Sequence, residues 1–336
     1  MKAVVVHQVG EPEALRPEDV PDPRPGPGEV LVRLRTAALN HRDLFICRGQ
    51  YAGLRFPIIP GSDGAGEIAA LGAGVGELRP GEPVLINPSL DWGDDPRLSG
   101  PGWRILGLPD DGTFAELVKV PASAVFPRPR QLSEEEAAAL PLAGLTAYRA
   151  LVTRGGVRPG ETVLVTGIGG GVASFVLLLA GYLGARVLVT SGSEEKLRRA
   201  RDLGAADGFN YRAGDWVQAA RAASGGRGPD LVVDGTGGRT FEQALDVARP
   251  GGRVVSYGAT TGSVPELTVR RIFWKHLDVL GTTMGSPADF RAMLAVFAER
   301  GRRPVVDRVF PLAETGAALR RLEGAAQFGK IVLRIR

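Results

Sequence analysis

The stretch TVLVTGIGGGVASFVLLLAGYLGARVLVTS, residues 162–191, decides the fold. It begins with a valine-rich run, passes through a glycine-rich turn, continues as a long apolar segment without proline, and ends in a second valine-rich run. Short β-branched runs are typical of buried strands, and the segment between them has the length of a helix. A strand, a helix and a second strand in this order predict a right-handed βαβ crossover in a parallel sheet.

The same alternation continues along the chain. An amphipathic helical window follows at 193–204, and further apolar runs lie at 230–235, 253–258 and 277–283. Strands that alternate with helices are typical of a doubly wound α/β domain. We predict such a domain over residues 125–283.

The residues before about 124 have a different pattern. Short strand-like runs such as EVLVRLRTAAL and GTFAELVKVP are separated by Gly and Pro, which is typical of a small β-barrel-like domain. The closing GKIVLRIR alternates as a strand does and predicts a return of the chain to this domain. We therefore predict a discontinuous domain made of residues 1–124 and 284–336.

Composition narrows the classes of function. The 336 residues carry 41 Lys and Arg against 37 Asp and Glu, a net charge of +4, and the basic residues are scattered. A continuous surface for nucleic acid is not indicated. No apolar run approaches the length of a membrane span, and the apolar part of MKAVVVHQVG is too short for a secretory signal. We expect a cytoplasmic protein that binds neither nucleic acid nor membranes.

The glycine-rich turn VTGIGGGVAS lies where such a sheet binds a dinucleotide. Glycines let the backbone approach a pyrophosphate, which the N–H groups at the start of the next helix attract. The spacing fits G-x-x-G-x-x-A through Gly167, Gly170 and Ala173, because Val172 falls on the third glycine of G-x-G-x-x-G. We expect cofactor contacts from Gly167, Gly170, Gly171 and Val172.

The end of the second strand indicates which dinucleotide binds. An NAD site usually places Asp or Glu there to accept the ribose 2′-hydroxyl. This chain has Ser191, Gly192 and Ser193, with Lys196 one turn into the next helix. Hydroxyl groups and an ammonium can hold a 2′-phosphate, and no carboxylate repels it, so we predict NADPH. The alternative is that Ser193 only caps the helix and Lys196 only meets solvent and a glutamate.

Four segments carry a resemblance that spans nearly the whole chain: GVRPGETVLV, LGARVLVT, ALPLAGLTAY and FGKIVL. They resemble recurring segments of the medium-chain dehydrogenase/reductase superfamily, and within it the quinone oxidoreductase-like and zinc-type alcohol dehydrogenase-like branches. The resemblance implies a GroES-like catalytic domain, a Rossmann domain, and a cleft between them for nicotinamide and substrate.

The resemblance also implies further cofactor residues. Tyr211 matches a position beside the adenosine phosphate, and a surface aromatic residue is the alternative. Residues 258–260 and 283–284 match loops that line the nicotinamide, and simple strand-end turns are the alternative. The residues implied in this way are Thr146, Tyr211, Gly235, Thr236, Gly258, Ala259, Thr260, Thr283, Met284 and Lys330.

The catalytic zinc of that superfamily needs a cysteine, then a histidine followed by glutamate, then a further cysteine or acid. The matching positions hold Asn40, Ser62 with Asp63, and Leu142–Ala143. Thiolate and imidazole, which zinc prefers, are missing from this set. Residues 87–107, which replace the structural zinc lobe, contain no cysteine, and the single cysteine of the chain cannot form a site alone. We expect no zinc.

Asn40, Asp43 and Tyr51 instead resemble the N-x-x-D…G-x-Y pattern of the zinc-free quinone oxidoreductases, and we expect these three residues to be catalytic. Tyr51 can bind a substrate carbonyl or simply pack. His41 can relay a proton near neutral pH, or it can satisfy backbone groups where the two domains meet.

Together these features predict a zinc-independent, NADPH-dependent oxidoreductase that transfers hydride to a quinone or an α,β-unsaturated carbonyl compound. One alternative is an alcohol dehydrogenase or carbonyl reductase that lost its metal, and another is an NADPH-binding protein with little catalysis. The apolar run at 277–283 would form an unpaired sheet edge, which predicts a homodimer.

Overall fold

The computed structural model describes residues 1–335, apart from the side chain of Arg300. The strands are β1 (Lys2–Val4), β2 (Pro17–Asp19), β3 (Glu29–Ala38), β4 (Asp63–Leu71), β5 (Pro83–Ile86), β6 (Ser89–Leu90), β7 (Arg104–Ile105), β8 (Leu117–Pro121), β9 (Val125–Pro127), β10 (Thr162–Val165), β11 (Arg186–Ser191), β12 (Asp207–Asn210), β13 (Leu231–Asp234), β14 (Arg253–Ser256), β15 (Asp278–Gly281), β16 (Val306–Pro311) and β17 (Lys330–Arg334). The helices are α1 (His41–Cys47), α2 (Glu134–Ala139), α3 (Pro141–Tyr148), α4 (Gly171–Tyr182), α5 (Glu194–Asp202), α6 (Trp216–Ala223), α7 (Gly238–Val247), α8 (Arg270–Trp274), α9 (Pro287–Arg300) and α10 (Thr315–Glu323). A π-helical turn, Arg149–Arg154, follows α3, and 3₁₀ turns occupy Pro12–Ala14, Ala122–Ala124 and Leu312–Glu314.

The chain folds as two compact units. The first contains Met1–Ala143 and the residues from Ser286 onwards, and the second contains Gly144–Gly285. The sequence predicts divisions after residues 124 and 283, so the structure moves the first division past α2. That helix packs on β3, β4 and β17, and the hydroxyl of Thr36 donates to the carbonyl of Glu134 at its start, over 2.8 Å. These contacts place α2 in the first unit.

A seven-stranded sheet forms the centre of the first unit. Its order is β16-β17-β3-β4-β5-β9, with β8 also paired to β3. Strand β3 pairs antiparallel with β4, β8 and β17, which its length of 10 residues allows. Its alternating sequence buries Val30, Val32 and Leu34, as the two-residue period of a strand requires. The pairing of β17 with β3 places the closing strand in this unit.

A six-stranded sheet forms the centre of the second unit, in the order β12-β11-β10-β13-β14-β15 with every neighbouring pair parallel. Its central strands β10 and β13 are mostly apolar and buried, as is typical where helices cover both faces of a sheet. Helix α4, between β10 and β11, is buried from Ala173 to Ala180. The doubly wound domain predicted from residues 162–191 is confirmed, and its strand order reverses between β10 and β13.

The described helices are short. The longest, α9, has 14 residues. None of the helices within residues 1–335 is long and apolar enough to cross a membrane.

Candidate functional site

The carboxyl ends of the parallel strands bring together the residues predicted to bind a dinucleotide. Gly167 follows β10, Ser191 ends β11, and Gly235 follows β13. These strands lie around the point where the strand order reverses, which is where open α/β sheets bind their ligands. Other predicted residues follow strand ends at the same edge, namely Tyr211 after β12, Gly258, Ala259 and Thr260 after β14, and Thr283 and Met284 after β15.

The loop between β10 and α4 is shaped by glycine. Gly167 has a φ of 64° and Gly169 a φ of 119°, in a region that other residues rarely adopt. Helix α4 begins after Gly170 without a side-chain cap, so no side chain competes with a phosphate for its first N–H groups. Gly171 and Val172 form the start of this helix. A valine is tolerated there because the helical backbone needs no glycine.

Asp234, at the end of β13, connects the loops of this edge. Its buried carboxylate accepts hydrogen bonds from the hydroxyl of Thr166 and from the N–H groups of Thr236, at 3.2 Å, and Gly237, at 3.0 Å. Burial raises the pKa of Asp234, and these three donors act in the opposite direction. The loop that contains Gly235 and Thr236 is therefore held in place by a carboxylate beneath it.

Ser193 and Lys196 lie at the end of β11, where the ribose is expected. The Oγ atom of Ser193 accepts from the N–H of Lys196 at 3.4 Å and caps α5. A Cβ atom built on Gly169 would lie 3.0 Å from Nζ of Lys196. The ammonium group therefore lies against the glycine-rich loop. The capping role of Ser193 and a phosphate-binding role are compatible.

Gly192 allows two side chains to approach the end of β11. A Cβ atom at Gly192 would lie 2.9 Å from the ring of Tyr211 and 2.7 Å from Nε of Arg212. Arg212 adds a second cation at this end, and it was not predicted, although a basic residue directly after Tyr211 was a usable signal. The carboxylate of Glu194 accepts from the side-chain amide of Asn210 at 2.6 Å.

The remaining predicted cofactor residues differ in exposure. Gly258, Ala259 and Thr260 are exposed, and the N–H of Thr260 donates to the carbonyl of Gly235 at 3.2 Å. Thr283 is exposed, whereas Met284 is buried with a φ of 47°. Thr146, in α3, is also buried. Thr146 and Met284 therefore offer a cofactor little surface.

A second polar group lies in the first unit around Lys330, which is 3% exposed. Its Nζ atom donates to the carbonyl of Leu39 at 2.7 Å, to Oδ1 of Asn40 at 2.6 Å and to Oδ2 of Asp63 at 2.8 Å. Nδ2 of Asn40 donates to the same Oδ2 at 3.0 Å. The N–H of Leu142 donates to Oδ1 of Asp63 at 2.7 Å. This buried ion pair is tolerated because its other polar atoms are also bonded.

Lys330 is predicted from the sequence as a cofactor residue, and the structure places it in the polar group around Asn40 and Asp63. A lysine ammonium carries three hydrogens, and all three have acceptors within the first unit. A cofactor contact from Lys330 would need one of these bonds to open, and it stays a prediction.

Asp43 lies beneath Asn40 at the start of α1. Its Oδ2 accepts from the backbone N–H of Asn40 at 2.8 Å and contributes to a capping box. Its Oδ1 is buried without a hydrogen-bond partner among the described residues. Burial raises the pKa of Asp43 to about 6, and the charge of Arg42 acts in the opposite direction. Because Asp43 is fully buried, it supports Asn40 and does not itself meet a substrate.

Arg42 is a buried residue of this site that was not predicted. Its terminal nitrogens donate to Oγ of Ser62 at 2.7 Å and to the carbonyls of Leu106, at 2.8 Å, and Leu108, at 3.3 Å. Its Nε donates to the Tyr51 hydroxyl at 3.4 Å, and its Cζ lies 5.0 Å from the centre of that ring. Arginine is usually exposed, so the sequence gives little sign of this burial.

Tyr51 and His41 lie beside this group. Tyr51 is half-buried and packs against the apolar core of the first unit, while its hydroxyl contacts Arg42. Burial lowers the pKa of His41, and the charge of Lys330 adds to the effect. The imidazole is therefore neutral at physiological pH.

The residues at the expected zinc positions do not fit a zinc ion. The oxygens of Asn40 and Asp63 accept hydrogen bonds from the ammonium of Lys330, and the hydroxyl of Ser62 accepts one from Arg42. Two cations therefore occupy the acceptor atoms that a metal would need, and zinc prefers thiolate and imidazole ligands. Among the described residues, no group of three or more His, Cys, Asp or Glu side chains can hold a metal.

The buried carboxyl group of Asp43 predicts a pH dependence of stability. Its pKa rises from 3.8 to about 6 on folding, so between these values the folded state keeps a proton that the unfolded state has lost. Stability should therefore fall as pH rises from about 4 to 6, by at most about 3 kcal/mol at about 1.4 kcal/mol per pKa unit. The variant Asp43→Asn, whose amide oxygen can still accept from Asn40, should lack this fall.

Urea unfolding at several pH values measures the effect. Glu77→Gln, an exposed carboxylate of the same unit, is the control and should follow the parent. If the free energy of unfolding changes with pH in the same way in the parent and in Asp43→Asn, Asp43 is ionised over the whole range from about pH 4 to 6.

Comparison with known proteins agrees with both units. A family described as the alcohol dehydrogenase GroES-like domain matches residues 26–130, and one described as zinc-binding dehydrogenase matches residues 171–299. A zinc-type alcohol dehydrogenase-like protein of Leptosphaeria maculans is 38% identical over 94% of this chain and 93% of its own. An acryloyl-coenzyme A reductase of Metallosphaera sedula is 31% identical over 99% of both chains.

A solved structure of an NAD-dependent alcohol dehydrogenase matches with a TM-score of 0.96 and 42% identity, and it covers 100% of both chains. Matches of this extent establish the family. The chain belongs to the medium-chain dehydrogenase/reductase superfamily, in its zinc-type alcohol dehydrogenase-like branch, and is an NAD(P)-dependent oxidoreductase.

Proposed function

We propose that this protein is a zinc-independent, NADPH-dependent reductase of quinones or α,β-unsaturated carbonyl compounds. One observation carries the proposal: the oxygen atoms at the expected zinc positions are bonded to the cationic groups of Lys330 and Arg42. A metal there would have to displace two buried charges from their partners, at a cost of several kcal/mol each. Hydrogen-bond donors would therefore polarise the substrate carbonyl.

The cofactor choice rests on the end of β11. Ser191, Ser193 and Lys196 provide hydroxyl groups and an ammonium there, and Arg212 adds a guanidinium. Strand β11 ends in Thr190 and Ser191, so no carboxylate stands at the strand end where an NAD site usually binds the ribose 2′-hydroxyl. One relative of known structure is described as an NAD-dependent alcohol dehydrogenase, so titration with both NADPH and NADH tests the preference.

We infer the substrate class from the hydrogen-bond donors of this site. A bound nicotinamide supplies a hydride to a substrate carbon, and negative charge then develops on the substrate oxygen. The side-chain amide of Asn40 is bonded to Lys330 and Asp63, so it positions the site. The hydroxyl of Tyr51 is an available donor, because its hydrogen has no acceptor among the described residues. A neutral donor of this kind suits enones and quinones, because conjugation spreads the developing charge.

Two other functions remain as outcomes of the test. The relatives described as alcohol dehydrogenases favour an alcohol or carbonyl oxidoreductase as the second candidate, whereas the relative that is an acryloyl-coenzyme A reductase acts on a conjugated carbonyl. A protein that binds NADPH and catalyses little is the third.

The first prediction concerns activity and metal content. Protein dialysed against a chelator should oxidise NADPH with 1,4-benzoquinone or 2-cyclohexen-1-one, and elemental analysis should find no stoichiometric zinc. Activity only on alcohols or aldehydes would favour the second candidate, and NADPH binding without turnover would favour the third. Tightly held zinc that activity requires would contradict the proposal.

The second prediction concerns the 2′-phosphate. Lys196→Ala should weaken NADPH binding by about 1.5–3 kcal/mol, the scale of a hydrogen bond to a charged group, and should leave NADH binding nearly unchanged. Arg198→Ala, an exposed position of the same helix, is the control. Fluorescence titration with both cofactors measures the effect, and equal losses for NADPH and NADH would show that Lys196 is structural.

The third prediction concerns assembly. Strand β15 ends the sheet order of the second unit, and Val279 in it is 39% exposed, while Phe273 and Trp274 of α8 are 57% and 77% exposed. A second copy that pairs along β15 across a two-fold axis would cover these groups. We therefore expect a homodimer.

Analytical ultracentrifugation at micromolar concentration should find a dimer for the parent. The variant Val279→Lys with Trp274→Glu should shift it towards monomer. Leu98→Glu, which changes a residue that is 59% exposed on the first unit, should leave the dimer intact. A monomeric parent would refute the proposed assembly.

A further inference from the structure

Arg42 differs from the other buried cation of the first unit in its partners. Lys330 is paired with the carboxylate of Asp63, whereas the hydrogen-bond partners of Arg42 are neutral oxygens. They are the hydroxyls of Ser62 and Tyr51 and the carbonyls of Leu106 and Leu108. A guanidinium carries five N–H groups that need acceptors when it is buried, and here it makes four hydrogen bonds to neutral oxygens without an ion pair.

The contact between Arg42 and Tyr51 has a fixed direction. Arginine can only donate hydrogen bonds, so the Tyr51 oxygen accepts from Nε at 3.4 Å. The hydrogen of the Tyr51 hydroxyl is then left for another acceptor, and none occurs among the described residues. The half-buried ring keeps this hydroxyl within reach of a ligand.

The positive charge of Arg42 lies close to the Tyr51 ring and strengthens the Tyr51 hydroxyl as a hydrogen-bond donor. Cζ of Arg42 lies 5.0 Å from the centre of the Tyr51 ring, within the range of a cation–π contact. A hydrogen bond received by a hydroxyl polarises its own O–H bond, and a nearby positive charge increases the effect in a site with little water. The anchors of the guanidinium on Ser62, Leu106 and Leu108 keep this charge in place.

We propose that Arg42 is a positioning residue that acts through Tyr51, so that the Tyr51 hydroxyl serves as the electrophile towards the substrate oxygen. The inference rests on the proposed function and adds a specificity to it. Substrates should be those whose oxygen becomes a weakly basic anion on reduction, such as the enolate of an enone or the hydroquinonate of a quinone.

The step balances for an enone. Hydride adds to the β-carbon, the C=C π pair forms the new C=C bond of the enolate, and the carbonyl π pair moves to oxygen. The Tyr51 proton passes to that oxygen, and the N–H of Arg42 stabilises the phenolate until water returns a proton. The enol then becomes the saturated ketone, so the substrate gains two electrons and two hydrogens while the nicotinamide is oxidised.

A double-mutant cycle tests the coupling. With 2-cyclohexen-1-one and NADPH, Tyr51→Phe should lower kcat by about 10²–10⁴-fold, the usual contribution of a general acid. Arg42→Met should lower kcat by about 10–100-fold, the range of a hydrogen bond to a charged group. Because Arg42 acts through Tyr51, adding Arg42→Met to Tyr51→Phe should change kcat by less than about 3-fold.

The matched control is Arg48→Met, which removes an arginine that follows the same helix and pairs with Glu11 and Glu323. It should keep the kcat of the parent. Arg42→Lys keeps the positive charge but loses the planar guanidinium group, so its kcat should lie between those of the parent and Arg42→Met. If Arg42→Met does not fold, Arg42→Lys takes its place in the cycle.

A second readout does not depend on turnover. The carbonyl stretch of 2-cyclohexen-1-one bound together with NADP⁺ should move to lower frequency in the parent and in Arg48→Met. The shift should be smaller in Arg42→Met and absent in Tyr51→Phe. A band that is the same in all four proteins would overturn the inference, as would additive losses of kcat in the double variant. A parent that reduces neither enones nor quinones would instead remove the proposed function, and the inference with it.

Discussion

The ammonium group of Lys330 is the contact on which the first unit depends. Lys330 begins β17, Asn40 precedes α1, and Asp63 begins β4, so one buried cation connects three elements that are far apart in sequence. Loss of this charge would leave the Asp63 carboxylate buried without a counter-ion, which typically costs about 3–5 kcal/mol. The return of the chain to the first unit is therefore fixed by electrostatics as well as by the pairing of β17 with β3.

The sequence predicts the elements that depend on neighbouring residues. The strands β10 and β11, the buried helix α4 and the Ser193 cap all leave a local signal, because burial on both faces or a single capping atom constrains neighbouring positions. The Asn40–Lys330 contact spans 290 positions, and α2 contacts β3 across 98 positions and β17 across 199. No local pattern records either one, so the division between the units and the role of Lys330 needed the structure.

The buried charges of the first unit compensate one another unevenly. Lys330 and Asp63 form a direct pair, whereas Asp43 has an unpartnered oxygen and a pKa raised by burial to about 6. Above that pH Asp43 is ionised, and its negative charge offsets the positive charge of Arg42 without a direct ion pair. The guanidinium itself is hydrogen-bonded to neutral oxygens. A cation held in this way can polarise a hydroxyl without being neutralised by contact with a carboxylate.

On the proposed function, this arrangement selects the direction and the substrate of the reaction. A zinc ion can lower the pKa of a bound water molecule to about 7, and the same Lewis acidity favours ionisation of an alcohol. A phenol hydroxyl backed by a guanidinium offers a proton and not an open coordination position, so it stabilises the anion of a saturated alcohol less than a zinc ion does. It can stabilise an oxygen that becomes anionic during reduction, and the stabilisation suffices when conjugation has already lowered the basicity of that oxygen. If the proposed function holds, the two fixed cations at the expected zinc positions favour reduction of conjugated carbonyl compounds over oxidation of alcohols.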